Sequence, residues 1–136
     1  MTDLTEPSTP PPLTTPEITR MRLAYMAVAM RDPNPVHVDD EFAKDIGLPS
    51  VIAHGTFAVS YVGAAVSRHV GVDNLRRLKV DLTAPVFPGS VLTTEVTVRG
   101  IEGDLVVADV RAVGADGVEV ARGEVAWVAG APRSPG

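Results

Sequence analysis

From residue 15 onward the chain divides into a part with helical periodicity and a part with strict alternation. Ile18, Met21, Tyr25 and Val28 recur at spacings of three, four and three, which puts one apolar stripe on a helix. Thr15 is expected to cap this helix, Pro16 to take its first position, and Glu17 to favour the positive end of its dipole. The helix should stop near Arg31, because Pro33 and Pro35 push Asp32 and Asn34 out of the α region. The run Asp32-Pro33-Asn34-Pro35-Val36-His37 therefore reads as a stiff, extended elbow. A short helical turn is expected next, capped by Asp39 and ended by Gly47, with Phe42 and Ile46 facing inward. Thr56 to His69 is apolar nearly all round, with Gly63, Ala64 and Ala65 permitting close approach, which predicts a buried helix ending at Gly71.

After Asn74 the period changes to two. Leu78, Val80 and Leu82 alternate with Lys79 and Asp81, and Leu92, Thr94, Val96 and Val98 alternate with Thr93, Glu95, Thr97 and Arg99. Residues 105–113 and 118–128 complete a set of strands, with Gly103-Asp104 and Asp116-Gly117 supplying turns short enough to join antiparallel neighbours. Pro85, Pro88 and Gly89 break the chain between the first two strands. The result is an α+β domain with an antiparallel sheet wrapped around a central buried helix.

Composition narrows the chemistry. The 136 residues suffice for a single domain, here taken as residues 15–129, between a Thr/Pro-rich tail over residues 1–14 and a short tail over 130–136. With no cysteine, disulfides, thiolate metal sites and a cysteine nucleophile are excluded. Twelve Lys and Arg against seventeen Asp and Glu give a net charge of −5, which argues against a nucleic-acid partner. No stretch reads as a membrane span or an export signal, so a cytoplasmic location is expected.

Three places can carry chemistry. Asp32 and His37 stand five residues apart on the elbow, where a carboxylate and an imidazole can share a water as general base and acid. The same residues can also serve structure alone, with Asp32 capping backbone amides. His54-Gly55 lies just before the buried helix, where a free amide N–H backed by the helix dipole suits a developing oxyanion, or simply starts the helix. Arg76, Arg77 and Lys79 can meet phosphates or can blunt an edge strand. His37, Asp39, Asp40 and Glu41 do not form a metal set, because consecutive acids at a helix start spread over different faces. No serine stands in a nucleophile elbow, and no glycine loop is shaped for phosphate.

In order along the chain, the helix with Tyr25, the elbow Asp32, Asn34, Pro35 and His37, then Ala53-His54-Gly55 and the bend Leu82 to Val91 resemble the MaoC-like family. This is the family of (R)-specific enoyl-CoA hydratases and 3-hydroxyacyl dehydratases, and the likeness runs over roughly residues 18–98. The resemblance implies a hot-dog fold and reversible hydration of a trans-2-enoyl thioester. It implies Asp32 and His37 as the catalytic pair, Asn34 as a brace for the elbow, and Gly55, with His54 beside it, on the substrate carbonyl. It further implies no metal and no cofactor beyond the coenzyme A or phosphopantetheine that the substrate carries. The expected assembly is a homodimer, or a heterodimer with another hot-dog subunit. Arg31 departs from the family pattern, which usually has glycine there, and Gly63 stands where some members have serine. A partner-dependent, non-catalytic subunit and a hot-dog thioesterase are the alternative readings. The thioesterase is disfavoured because Thr56 to His69 holds no carboxylate.

Overall fold

A computed structural model describes residues 6–131. In chain order the elements are β1 (Leu13–Thr14), α1 (Arg20–Ala29), a 3-10 turn (Pro35–His37), α2 (Asp40–Asp45) and α3 (Gly55–Val70). These are followed by a second 3-10 turn (Val72–Asn74), β2 (Leu75–Leu82), β3 (Leu92–Glu102), β4 (Leu105–Gly114) and β5 (Glu119–Val128). The five strands form one antiparallel sheet in the order β1-β3-β4-β5-β2. Inward residues Leu92, Val96, Val106, Ala108, Val125 and Trp127 pack with Phe57, Val62, Val66 and Val70 of α3 in one core. At Gly123 an added Cβ would fall 1.8 Å from the Lys79 carbonyl oxygen, so β2 closes on β5 only because that position has no side chain.

The N-terminal part departs from expectation in ways that physical chemistry explains. Leu13 and Thr14, expected in the tail, pair with Thr94 and Thr93 of β3. Pro10 is fully buried, and Ser8 Oγ lies 2.8 Å from His69 Nε2. Residues 1–5 and 132–136 of the expected tails lie outside the described residues. Thr15 does not cap α1: its N–H donates to the Leu92 carbonyl at 2.8 Å and its Oγ1 accepts from the Leu92 N–H at 3.0 Å. That sheet pairing keeps the chain extended past Ile18, and Thr19 caps the helix instead, accepting from the Arg22 N–H.

Of the expected stripe only Ile18 is buried, in the extended chain before α1, and the three residues within the helix face outward. Leu23 and Ala27 are buried, whereas Met21, Tyr25 and Val28 are 62%, 68% and 78% exposed. Both faces of this short helix are apolar, and the smaller one fits the space beside the core. In α2, Asp39 caps the helix as expected, accepting from the Glu41 and Phe42 N–H groups. Ala43 is the buried residue there, whereas Phe42 and Ile46 are 37% and 55% exposed. The central helix is covered by the sheet along one side only, leaving Thr56, Ser60 and Arg68 exposed on the other. Among the described residues, no helix is long and apolar enough to cross a membrane.

Candidate active site

The end of α1 sets the position of Asp32. The Arg31 N–H donates to the Val28 carbonyl, and the Asp32 N–H reaches back to the Ala27 carbonyl at 2.9 Å. These are the two bonds of a Schellman motif, with Arg31 as the left-handed residue at φ 52°. The chain leaves the helix sharply and enters the proline elbow. Asn34 then folds the elbow over, its Oδ1 accepting from the Val36 N–H at 3.0 Å while its carbonyl accepts from the His37 N–H. Asp32 Oδ1 lies 3.4 Å from the Asn34 N–H, a long contact that leaves Oδ2 free.

His37 is buried, and its Nδ1 donates to the Ile52 carbonyl at 2.7 Å. That bond fixes the tautomer with the lone pair on Nε2, which faces Asp32 Oδ2 at 3.8 Å. His54 completes the cluster from the start of α3. Only 4% exposed, it stacks on His37 with ring centroids 3.5 Å apart. Its Nε2–H donates to the Asp32 backbone carbonyl at 3.1 Å and lies 3.7 Å from Asp32 Oδ2. His54 Nδ1 is buried with no hydrogen-bond partner among the described residues. Asp32 itself is half exposed, so the carboxylate opens to solvent over a buried floor of two imidazoles.

The donor atoms of Asp32, His37 and His54 lie within 4.8 Å of one another, which on distance alone would admit a cation. The ring geometry does not favour one. The two imidazoles lie 23° from parallel, so their in-plane lone pairs run side by side rather than converging, and His54 Nε2 is committed as a donor. The arrangement suits proton exchange with a small polar molecule resting on Asp32 Oδ2 and His37 Nε2.

Gly55 opens α3, and its N–H makes no hydrogen bond among the described residues. An added Cβ there would fall 2.2 Å from Leu82 Cδ1. Gly55 is part of the wall of a cleft of about 350 Å³ bounded by Ile52–Gly55, Ala58, Leu82–Val86 and Val120. The segment bearing His54 is tied down by Asp40, whose carboxylate accepts from the Val51 N–H at 3.0 Å and pairs with Arg20. These contacts, the Val51 N–H first and Arg20 second, hold the Asp40 carboxyl below the usual carboxylate range.

Of the residues singled out from sequence, Asp32, His37 and His54 meet, with Asn34 shaping the turn that joins the first two. His54 was expected beside the substrate carbonyl, and its contact with Asp32 and His37 was not anticipated. The anchoring role of Asp40 has no local signature, because its partners Val51 and Arg20 are distant in sequence. Arg76 and Arg77 lie away from this cluster on β2, where Arg77 pairs with Glu124 and Arg76 donates to the Asp73 carbonyl.

The family description that matches the chain is "MaoC like domain", over residues 5–117. The chain is 33% identical over 107 residues to the 3-hydroxyacyl-thioester dehydratase Y of Mycobacterium tuberculosis, covering 73% of this chain and 36% of that protein. It is 32% identical over 103 residues to the mouse peroxisomal multifunctional enzyme type 2, covering 69% of this chain. Of that mouse protein's length it spans only 13%. An R-hydratase structure from Pseudomonas aeruginosa superposes with a TM-score of 0.76 at 25% identity, covering 91% of this chain and 83% of that one. One chain of the ChsH1-ChsH2 complex from Mycobacterium tuberculosis superposes with a TM-score of 0.75 at 19% identity, covering 95% and 99%, a likeness of fold.

Proposed function

The chain belongs to the MaoC-like dehydratase family and has its hot-dog fold, and from that premise we propose that it hydrates trans-2-enoyl thioesters reversibly to (R)-3-hydroxyacyl thioesters. The observation that carries this reading is the approach of Asp32 Oδ2 to His37 Nε2 at 3.8 Å, next to a helix that opens with an unbonded Gly55 N–H. A water about 2.8 Å from both atoms sits comfortably over that gap. Its oxygen attacks C3 of the enoyl group while one of its protons passes to the Asp32–His37 pair. The π electrons move toward the thioester oxygen, where the Gly55 N–H and the α3 dipole receive the charge. The pair then returns a proton to C2. One C–O and one C–H bond form, one O–H bond and the π bond break, and no charge is left over. Asn34 keeps the elbow in shape, and His54 supports Asp32 and His37 from below. The chemistry calls for no metal and no cofactor beyond the coenzyme A or phosphopantetheine of the substrate.

The same reading includes a second hot-dog subunit, identical or different. β2 is an edge strand whose outer side has no partner among the described residues, and the apolar face of α1 is exposed. The resemblance of fold to one chain of a two-protein complex supports a heteromer as readily as a homodimer. A subunit that only completes its partner's site is the second reading. To test the proposal, the purified chain is mixed with a short trans-2-enoyl-CoA and the products are separated on a chiral phase. An (R)-3-hydroxyacyl-CoA is expected. Free thiol in place of the hydroxyacyl product would make the chain a thioesterase, and no product until a second hot-dog chain is added would make it a partner-dependent subunit.

A further inference from the structure

The face of the sheet turned away from α3 carries its charges in an ordered grid. The side chains there alternate with the buried Val96, Ala108, Val110 and Val125. Strand register sorts them into two rows that run across the sheet in the order β3, β4, β5, β2. One row is Thr97, Asp109, Glu124 and Lys79, and the next is Glu95, Arg111, Arg122 and Asp81. Like charges therefore stand directly opposite each other at the centre, Asp109 against Glu124 and Arg111 against Arg122, which weakens strand pairing in an isolated chain. Relief from within the chain is partial. Arg111 reaches Glu95 at 2.6 Å, and Arg77 and Arg99 both reach Glu124. Arg122 meets only Glu119, at 3.8 Å, and Lys79 and Asp81 have no ionic partner among the described residues. Between the rows the surface dips into a depression of about 370 Å³, with charged walls from Asp81, Glu95, Asp109, Arg111 and Arg122.

We infer that a second copy of this chain docks on this face, related to the first by a two-fold axis that lies between the two rows and parallel to them. Such an axis lays the first row of each copy over the second row of the other. Asp109 of one copy then meets Arg111 of the other, Glu124 meets Arg122, and Lys79 meets Asp81, and the symmetry makes each pair twice. No like charges are brought together along these rows, because Thr97 falls opposite Glu95. An axis through either row, or one along the strands, would set acid on acid, base on base or both, so the pattern selects one docking. That docking also keeps the strands of the two sheets alongside one another, the aligned class of sheet packing. Exposed charges of this kind fix register and orientation more than they add affinity. The face lies across the sheet from α3 and leaves the outer side of β2 free. The inference therefore stands apart from the hydratase reading and from a subunit contact through β2.

The test exchanges charges within one stacked pair. Arg122→Glu and Glu124→Arg are made singly and together, and the mass of the full chain in solution is measured by sedimentation equilibrium. At about 0.01 M salt, where charges act over about 30 Å, wild type should have twice the mass that it has in about 1 M salt, where that reach falls to about 3 Å. Each single swap sets like charges against each other across the two-fold. It should weaken association at least tenfold and halve the mass at low salt. The double swap in one chain again puts acid over base and should regain the wild-type mass, as should an equimolar mixture of the two single variants. Loss of a surface charge without docking would give no such recovery. Single swaps that keep the wild-type mass overturn the inference, and so do a double swap and a mixture that stay dissociated with native circular dichroism. A wild-type mass that is the same at both salt concentrations also overturns it and leaves the face to solvent or to a different chain. That measurement decides alone if a variant does not fold.

Discussion

Replacing Arg31 with glycine should make the protein more stable. Arg31 is the left-handed residue of the Schellman motif that ends α1, at φ 52°. An L side chain in that conformation costs about 1–2 kcal/mol, because its Cβ crowds the following carbonyl. Glycine removes the clash and returns about 0.5–1 kcal/mol of that gain through the larger entropy of its unfolded chain. The net expectation is a stabilisation of about 0.5–1 kcal/mol, or about 2–5 °C in Tm for a domain of this size. Arg31 is exposed, so little else changes on removing the side chain. Urea denaturation of wild type, Arg31→Gly and Arg31→Ala separates conformation from charge. Alanine also loses the guanidinium but keeps a Cβ, and should show little or none of the gain. Equal midpoints for glycine and wild type, or equal gains for glycine and alanine, would refute the left-handed cap. The elbow that positions Asp32 would then need a different explanation.

Three further outcomes follow from the site. His54→Ala removes a buried hydrogen bond to the Asp32 carbonyl and the ring stacked on His37, so it should cost about 2–3 kcal/mol in urea denaturation. It should also lower kcat more than it raises KM, since Asp32 and His37 lose their support. Gly55→Ala would drive the Leu82 side chain into the cleft, and steady-state kinetics should show at least a tenfold fall in kcat/KM with the far-ultraviolet circular dichroism unchanged. The Asp40 carboxyl is held below its ordinary range by the Val51 N–H and Arg20. Its contribution to stability is therefore full above the unfolded-state pKa and is lost as pH falls through the folded one, below about pH 4. Asp40→Asn should flatten that part of the pH–stability curve measured by thermal melts, and an unchanged curve would rule Asp40 out as an anchor.

The sheet and central helix were readable from residue pattern because each is specified locally. Period-two alternation in residues 92–99 has only one satisfactory burial, and a nearly all-apolar run such as residues 57–66 needs cover along at least one side. The first helix was misread for a reason that periodicity cannot resolve. Within the helix, Met21, Tyr25 and Val28 form as good a stripe as Leu23 and Ala27, and only the space left by the sheet selects the second pair, while Ile18 is buried from the extended chain ahead of the helix. Thr15 was misassigned because a hydroxyl that caps a helix can equally accept from a strand amide, here that of Leu92. β1 is two residues long and exists because β3 offers it an edge. In the site, the elbow was legible from its prolines and Asn34. His54 joins it across 22 residues, and no local pattern encodes that contact.

The central claim is that Asp32 and His37 activate a water against an enoyl thioester. Its most direct test is the initial rate at which a trans-2-enoyl-CoA loses its conjugated-thioester absorbance, with wild type and with Asp32→Asn. The substitution keeps the size of the side chain and removes its basicity. Wild type should turn over steadily, and Asp32→Asn should fall by a hundredfold or more at unchanged thermal stability, the usual scale for a positioned base. An Asp32→Asn protein that hydrates at the wild-type rate would contradict the account.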